Sequence, residues 1–564
     1  MTTESIPSGF KKILVFLLLC IPPSFLLLTP GFYEPQDLHH LADIYQMVRA
    51  IGSGQIPPRL GPDYMFGYGY PLFNFYYPLP FYLGALFFSL IGSLTISFKL
   101  VFIVSIVVSI FGMYLFLKEF LDEWGAVVGS VLFLYTPYRA VQIYVRGAMG
   151  EALALSLLPI FAWSIVKLLK KPNIKTIALA GILGGVFILS HNYFWALSVP
   201  WLIALIFVVK YKEKVSTLAK LALGGIISLA LTAYWWLPAL VEQKLVSKVT
   251  PFPLIDHFPF IKQLIIPSWG YGASLWGPSD GMSFQIGVVN LIVTLFLVLF
   301  LILRFRELKN KNLLNLSIWV MVGIVVSVFL MNIRSYPVWK LLPFHDFVQF
   351  PWRLLCFTTF FTSIVAGILV SAFLGKKKYL FGVLVVAASI LLTVNYFKPS
   401  QKFYKSDNDY LNRFFANRSL EGQKDGTSKE YLLYSEDYLQ LPYWVKERPK
   451  DIPILKISSL DSKVSGIIEI NPIFWQVSVE SSKSGTVVFH EIYFPGWVAE
   501  VDGKRVPVSP SGPNGEMIIN IEGGGVQKIR FFWQETPLRK AADMISLGAI
   551  TIVILIFIFS KRQK

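Results

Sequence analysis

Apolar runs long enough to cross a bilayer recur along almost the whole chain, and that recurrence constrains the fold more than any motif. A helix needs about 20 mostly apolar residues to span the hydrocarbon core. Such runs occupy residues 11–29, 78–95, 97–117, 149–168, 174–190, 194–211, 216–238, 284–304, 311–331, 353–374, 379–396 and 540–560. A further run, 124–136, is too short for a full crossing. With 54% hydrophobic and only 15% charged residues over 564 positions, the chain is too apolar for a soluble globular protein. The sequence therefore predicts a polytopic α-helical membrane protein of about 12 to 13 spans.

The formal net charge of +17 lies mostly in short loops between these runs. The clusters are Lys11 with Lys12, Lys167 to Lys175, Lys210 to Lys220, Arg304 to Lys311, Lys376 to Lys378, and Lys561, Arg562 and Lys564. Cytoplasmic connections carry this pattern under the positive-inside rule, so it needs no nucleic-acid partner, and both termini are expected in the cytoplasm. The first run lacks a small-residue cleavage site and contains Pro22 and Pro23, so it is expected to remain as a first span. Five polar segments then fall outside: 30–77, 137–150, 239–283, 332–352 and 397–538. Three apolar runs separate the first two, although crossings between two outer segments must be even in number. The short run at 124–136 is the expected half-span, its backbone ends covered by other helices. Cys20 and Cys356 each sit in or beside an apolar run and read as small buried hydrophobes.

From about residue 452 the pattern changes to short alternating segments, Ile454 to Ser458, Gly466 to Ile470, Phe474 to Val479, Thr486 to Ile492, Trp497 to Val501, Met517 to Ile521 and Lys528 to Trp533. Asp502-Gly503 is a hairpin signal. The sequence predicts an antiparallel β-sandwich within 397–538, closed by a last span and a basic tail over 539–564.

Three stretches carry chemistry. The first outer loop holds Asp37, His39, His40 and Asp43, then Arg59, then Gly67-Tyr68-Gly-Tyr70-Pro71. Asp37, His40 and Asp43 are spaced three apart, so on a helix they share one face, where they can deprotonate a hydroxyl or hold a divalent cation. The competing reading is that Asp37 caps an interfacial helix. The second stretch, Tyr135-Thr-Pro-Tyr138-Arg139 to Arg146-Gly147 and Glu151, offers two guanidinium groups for phosphate or for the membrane interface. A carboxylate at the mouth of a span, as Glu151 is, is costly unless paired or functional. The third, His345-Asp346-Phe-Val-Gln349-Phe-Pro-Trp352-Arg353, can bind a sugar and phosphate by hydrogen bonding and stacking, or form an interfacial belt. His191, Asn192 and Tyr234-Trp-Trp236 read as interfacial anchors. The chain has no phosphate loop, no Gly-x-Gly-x-x-Gly after a strand, no zinc-type Cys or His spacing and no Gly-x-Ser-x-Gly elbow. The energy of any reaction must then reside in a bound substrate.

The ordered motifs Asp37-Leu-His-His40-Leu, Gln55-Ile-Pro-Pro-Arg59, Gly67-Tyr-Gly-Tyr-Pro-Leu-Phe73, Tyr135-Thr-Pro-Tyr-Arg139, Tyr144-Val-Arg-Gly147, Glu151-Ala and Gln349-Phe-Pro-Trp-Arg353 resemble the bacterial membrane proteins known as 6-pyruvoyl-tetrahydropterin synthase-related. The histidine zinc site of a soluble pterin synthase is missing. The layout also resembles the GT-C glycosyltransferases, with a first span, a long acidic first outer loop, a multi-span bundle and an outer C-terminal domain. The stretch Phe494-Pro-Gly-Trp497-Val-Ala-Glu-Val-Asp-Gly503 is similar to the C-terminal region of YfhO-type proteins.

The resemblance implies a multi-span GT-C-like domain over 1–396, an extracytoplasmic β-domain over 397–538 and residence in a bacterial cytoplasmic membrane. It further implies transfer of a sugar from a polyprenyl-phosphate donor to an extracytoplasmic acceptor. Asp37, His40 and Glu151 are the expected catalytic residues. Arg59, Tyr68, Tyr70, Arg139, Arg146, His345, Gln349, Trp352 and Arg353 are the expected substrate-binding residues. The cofactor expectation stays open between none and a divalent cation, since the Asp-x-Asp pattern of some relatives is missing. Two rival readings are a transporter or flippase of lipid-linked sugar and a structural protein that binds envelope glycan.

Overall fold

A computed structural model describes residues 8–247, 252–304, 311–342, 345–372, 375–415 and 441–561. Its longer helices are α1 (Ser8–Leu28), α2 (His40–Gly52), α3 (Leu79–Ile91), α4 (Leu94–Leu117), α5 (Glu123–Leu134), α6 (Met149–Lys170), α7 (Ile174–Ile188) and α8 (Phe194–Val208). They continue with α9 (Lys214–Leu231), α10 (Ala233–Glu242), α11 (Val288–Arg304), α12 (Lys311–Leu330), α13 (Leu355–Ala372), α14 (Lys376–Thr393), α15 (Asp407–Phe414) and α16 (Pro537–Lys561). Among the described residues, eight helices are long and apolar enough to cross a membrane, namely α1, α4, α6, α9, α12, α13, α14 and α16. Helices α3, α5, α7, α8 and α11 are apolar but shorter. The protein is a multi-pass membrane protein.

Basic residues gather at one end of the bundle. Lys12 and Lys118 pair with Glu123 at 2.8 and 3.0 Å, Lys378 with Asp122 at 2.7 Å, and Lys167 and Lys170 with Glu119 at 2.8 and 2.9 Å. Part of the Arg304 to Lys311 cluster, and Arg562 with Lys564, lie outside the described residues.

The surplus crossing is not at 124–136, as the sequence predicts, but at 78–95. Both ends of α3 lie at the far end of the bundle. The Leu79 N–H donates to the carbonyl of Leu189, just past α7, at 3.1 Å. Past the other end of α3, the N–H groups of Leu94 and Thr95 donate to the Asp407 carboxylate at 2.7 and 3.2 Å. Lys99 donates to the carbonyls of Thr29 and Gly31, just beyond α1, at 3.1 Å each. A left-handed Gly92, with φ of 76°, turns the chain sharply there, and Ser93 caps α4. Helix α3 has 13 residues, or about 20 Å of rise, against a hydrocarbon core of about 30 Å. Helix α5 starts instead at the basic end and is prolonged by Pro137–Ala140 and a π-helix, Val141–Arg146.

The C-terminal strands form two antiparallel sheets. Strands β1 (Ile457–Ser459), β4 (Gly485–Ile492), β8 (Glu516–Ile521) and β7 (Ser509–Ser511) make one, in the order β1-β4-β8-β7. Strands β2 (Lys463–Asn471), β3 (Phe474–Ser481), β9 (Gly525–Trp533), β5 (Trp497–Val501) and β6 (Lys504–Val506) make the other, in that order. Alternate residues such as Val477, Val479, Val487, Phe489, Ile529 and Phe531 are fully buried between them, and Leu60 of the 30–77 segment joins this core. Asp502 and Gly503, at φ of 48° and 81°, turn β5 into β6 as their sequence predicts. Strand β7 escapes the sequence pattern because it has three residues, one of them Pro510, which only an edge strand accommodates.

The sandwich is held against the 30–77 segment that follows α1. The Ile492 N–H donates to the Tyr68 carbonyl at 2.7 Å, and Lys456 bridges the Gly67 carbonyl and the Glu491 carboxylate. Burial pushes the Glu491 carboxyl up to about 7 against the pull of Lys456. A carboxyl raised on folding binds its proton more tightly in the folded chain. Its stabilising contribution is therefore complete below the ordinary carboxylate range and lost as pH rises through about 7. The melting midpoint of the full chain in detergent is expected to fall over that window, and Glu491→Gln is expected to flatten the dependence.

Candidate functional site

The far end of the bundle is organised by the irregular backbone between α5 and α6. Tyr138, Gln142 and Arg146 are four residues apart, so a continuous turn of helix and π-helix points all three toward Glu151 in the first turn of α6. Gly147 ends the π-helix at a φ of 71°, and a Cβ there would lie 2.5 Å from the Pro35 ring. A Cβ on Gly150 would lie 2.2 Å from the Tyr77 ring. These two glycines let the 30–77 segment close on the mouth of α6. Its backbone docks there through Gln36 N–H to the Val145 carbonyl at 3.0 Å and Asp37 N–H to the Arg146 carbonyl at 2.7 Å.

Glu151 is buried and surrounded. Its Oε1 accepts from the Tyr138 hydroxyl at 2.5 Å, Gln142 Nε2 at 3.0 Å and the Cys356 thiol at 3.5 Å. Its Oε2 meets Arg146 Nη1 at 2.8 Å and Arg353 Nε at 3.4 Å. A carboxylate engaged by five groups is not poised to take a proton, so its geometry does not match the catalytic role expected from the sequence. It holds two guanidinium groups side by side. Arg353 also donates to the Val348 carbonyl at 2.8 Å and to Gln349 Oε1 at 3.2 Å. Gln349 reaches it from a left-handed backbone, φ 57°, a conformation that costs about 1–2 kcal/mol in an L residue. The Arg146 guanidinium lies 4.7 Å above the Trp352 ring. Trp352 is buried, with its indole N–H on Ser274 at 3.1 Å, and supports Arg146 rather than offering a face to a sugar.

The 30–77 segment adds a second group. Helix α2 starts at His40, with Asp37 in the turn before it, because the Val145 and Arg146 carbonyls hold that turn. The one-face arrangement expected of Asp37, His40 and Asp43 is therefore reduced to His40 and Asp43, joined at 3.1 Å. Asp43 also accepts from the Tyr64 hydroxyl, and His39 Nε2 lies 4.0 Å from it. Burial holds His40 well below its ordinary range and pushes Asp43 up to about 6. The ligand atoms of His39, His40 and Asp43 lie within 4.8 Å of one another, a nitrogen and oxygen set of the kind zinc accepts. Asp37 is half-buried and within electrostatic reach of Arg146, His40 and Asp43.

His191 and Asn192, read from the sequence as interfacial anchors, belong to this cluster. His191 is buried, stacks on Tyr77 at 4.8 Å, and is held down to about 3 by burial and the Arg353 cation. The Arg353 guanidinium lies 5.1 Å above the Tyr193 ring. Among the described residues, His191 Nδ1, Asn192 Oδ1, the Tyr193 hydroxyl and Gln142 Oε1 are buried without a hydrogen-bond partner. The available signal was a His-Asn pair at a span end where Trp and Tyr are the usual anchors.

Other expected residues lie elsewhere. Arg59 is buried and pairs with Glu535 at 3.2 Å and Asp543 at 3.0 Å, and it donates to the Tyr234 carbonyl at 2.7 Å, which ties the 30–77 segment to α16. Arg59→Ala is expected to destabilise the fold by about 3–5 kcal/mol, read as a lowered melting midpoint in detergent. Tyr68 faces the β-sandwich, and Tyr70 is buried in a bridge to Gly61. Arg139 is fully buried, stacked on Phe133 at 4.9 Å and bonded to Ser156 at 3.0 Å. His345 bonds its own turn, at 2.9 Å from the Leu342 carbonyl.

Fold and site together define a multi-pass helical membrane protein with a buried, multiply bridged charge cluster at one end of its bundle and a β-sandwich packed against the 30–77 segment. The chain belongs to the family of membrane proteins described as 6-pyruvoyl-tetrahydropterin synthase related, whose profile matches residues 73–400. An uncharacterized protein of Lactococcus lactis subsp. cremoris is 22% identical over 347 residues, 59% of this chain and 55% of that protein. The chain thus spans about half the length of the curated relative it matches. Among solved structures, arabinofuranosyltransferase AftD from Mycobacteria is 15% identical with a TM-score of 0.47, covering 70% of this chain and 27% of that one. ArnT from Cupriavidus metallidurans, solved bound to undecaprenyl phosphate, is 14% identical with a TM-score of 0.41, covering 69% and 65%. The Archaeoglobus fulgidus oligosaccharyltransferase is 12% identical with a TM-score of 0.43, covering 78% and 60%.

Proposed function

We propose that the protein is a membrane glycosyltransferase that moves a sugar from a polyprenyl-phosphate-linked donor to an extracytoplasmic acceptor. The observation that carries this reading is the convergence of three distant stretches on one charged cluster. These are the turn at Asp37, the π-helix with the mouth of α6, and the turn Gln349 to Arg353. Arg146 and Arg353 bind the donor phosphate and take up the charge that develops as the sugar–phosphate bond breaks. Glu151 is the positioning residue that fixes both. Asp37, at the half-buried edge, takes the proton of the acceptor hydroxyl. The unpartnered polar atoms of Gln142, His191, Asn192 and Tyr193 supply donors and acceptors for the hydroxyl groups of the sugar. A divalent cation held by His39, His40 and Asp43 would add positive charge beside the phosphate.

In this reading the donor enters laterally from lipid, the β-domain over 397–538 selects the acceptor, and the basic end of the bundle faces the cytoplasm of a bacterial cell. The test is incubation of the purified protein with a panel of polyprenyl-phosphate sugars and an extracytoplasmic glycan acceptor. Sugar transfer is the expected result. Movement of the donor across a proteoliposome membrane with no transfer would instead favour transport.

A further inference from the structure

The four-stranded sheet carries a second set of reactive side chains, independent of the cluster on the bundle. Strands β1, β4 and β8 lie side by side, and Ile457, Phe489 and Met517 point into the sandwich core at 0% exposure. With a side-chain period of two, their sequence neighbours Ser458, His490 and Glu516 face outward together. A register irregularity in β4 between Phe489 and Ile492 falls on His490, and bulges of this kind re-aim side chains beside active sites.

Their hydrogen bonds run in one order. His490 Nδ1 is 2.5 Å from Glu516 Oε1, and His490 Nε2 is 2.8 Å from Ser458 Oγ. A carboxylate only accepts, so Nδ1 carries the hydrogen and donates to Glu516. The lone pair of Nε2 then faces Ser458, whose hydroxyl donates to it. The His490 and Glu516 side chains are 21% and 15% exposed, open enough for a substrate to reach and covered enough to hold their geometry. Tyr68 of the first outer loop borders the group, its ring 6.3 Å from His490 and its phenol near Glu516.

We propose that Ser458, His490 and Glu516 form a serine acyl-transfer centre on the β-sandwich, acting on acyl esters. Nucleophile, base and orienting carboxylate stand in the sequence of contacts such chemistry needs, a constellation recognised by geometry and not by fold. Ser458 Oγ attacks the ester carbonyl while its proton passes to His490 Nε2. The bond between the carbonyl carbon and the alcohol oxygen breaks, and the leaving alcohol takes that proton. Water, deprotonated by the same Nε2, then attacks the acyl-serine, releases the carboxylic acid and restores the serine hydroxyl. Glu516 holds the imidazole throughout and is a positioning residue.

The test uses the full chain in detergent with a biotinylated fluorophosphonate, which marks activated serines, and with p-nitrophenyl acetate as a simple ester. The expected result is a tag that maps to Ser458, disappears in Ser458→Ala and forms about 100-fold more slowly in His490→Gln, on the scale of general-base catalysis. Ester hydrolysis is expected to fall in parallel. If Ser458→Ala does not fold, Ser458→Cys keeps the side-chain shape and is expected to exchange fluorophosphonate labelling for rapid alkylation by iodoacetamide. A tag on another serine, no labelling of the native chain, or equal labelling in His490→Gln would overturn the proposal.

Discussion

Asparagine in place of Asp37 is expected to lower sugar transfer by about 10²–10⁴-fold, the contribution of a positioned general base. The substitution should leave the fold almost untouched. What fixes this turn is the Asp37 backbone N–H on the Arg146 carbonyl at 2.7 Å, together with Gln36 N–H on Val145, and neither bond uses the carboxylate. Donor binding should likewise persist, because Arg146 and Arg353 are held by Glu151. The measurement is turnover beside melting midpoint and donor affinity. A variant that transfers sugar at the native rate would remove Asp37 from the chemistry.

Glu151→Gln is expected to act on stability first. Removing one partner of a buried ion pair costs about 3–5 kcal/mol, since the remaining charge stays buried without compensation. Here the one substitution leaves two guanidinium groups facing each other, so the effect should lie at the upper end of that range. An added anion supplies the missing charge. A polyprenyl monophosphate should therefore raise the melting midpoint of Glu151→Gln by more than it raises that of the native chain, following the usual linkage of ligand and stability. A purely catalytic carboxylate would give the opposite pattern, with lost turnover and an unchanged midpoint.

The parts of this molecule that the sequence reveals are those where solvent dictates residue type along the chain. Apolar runs mark α4, α6 and α13, and alternation marks β3, β4 and β9, because each buries a face whose period is local. Charges at span mouths mark Arg146, Glu151 and Arg353, since uncompensated charge there is costly. Hydropathy is blind to a turn, so 78–95 reads as a span although Gly92 and the Asp407 cap return the chain to the end it left. Partner choice is equally hidden. Arg59 looks like a substrate-binding residue until Glu535 and Asp543, from the far end of the chain, occupy its guanidinium. Glu151 looks like a catalytic carboxylate until Tyr138, Gln142 and Arg146 surround it, a grouping that depends on the π-helix. Strand pairing brought Ser458, His490 and Glu516 together in the same way, and no short motif records it.

In the proposed function Arg146 and Arg353, fixed by one carboxylate, form the phosphate-binding part of the site. Equilibrium binding of polyprenyl monophosphate to the purified chain tests it most directly, with Arg146→Ala, Arg353→Ala and Arg59→Lys compared side by side. A charge-assisted hydrogen bond is worth about 1.5–3 kcal/mol, so each alanine variant should weaken binding by about tenfold or more, with Arg59→Lys unchanged. Native affinity in both alanine variants would contradict the account.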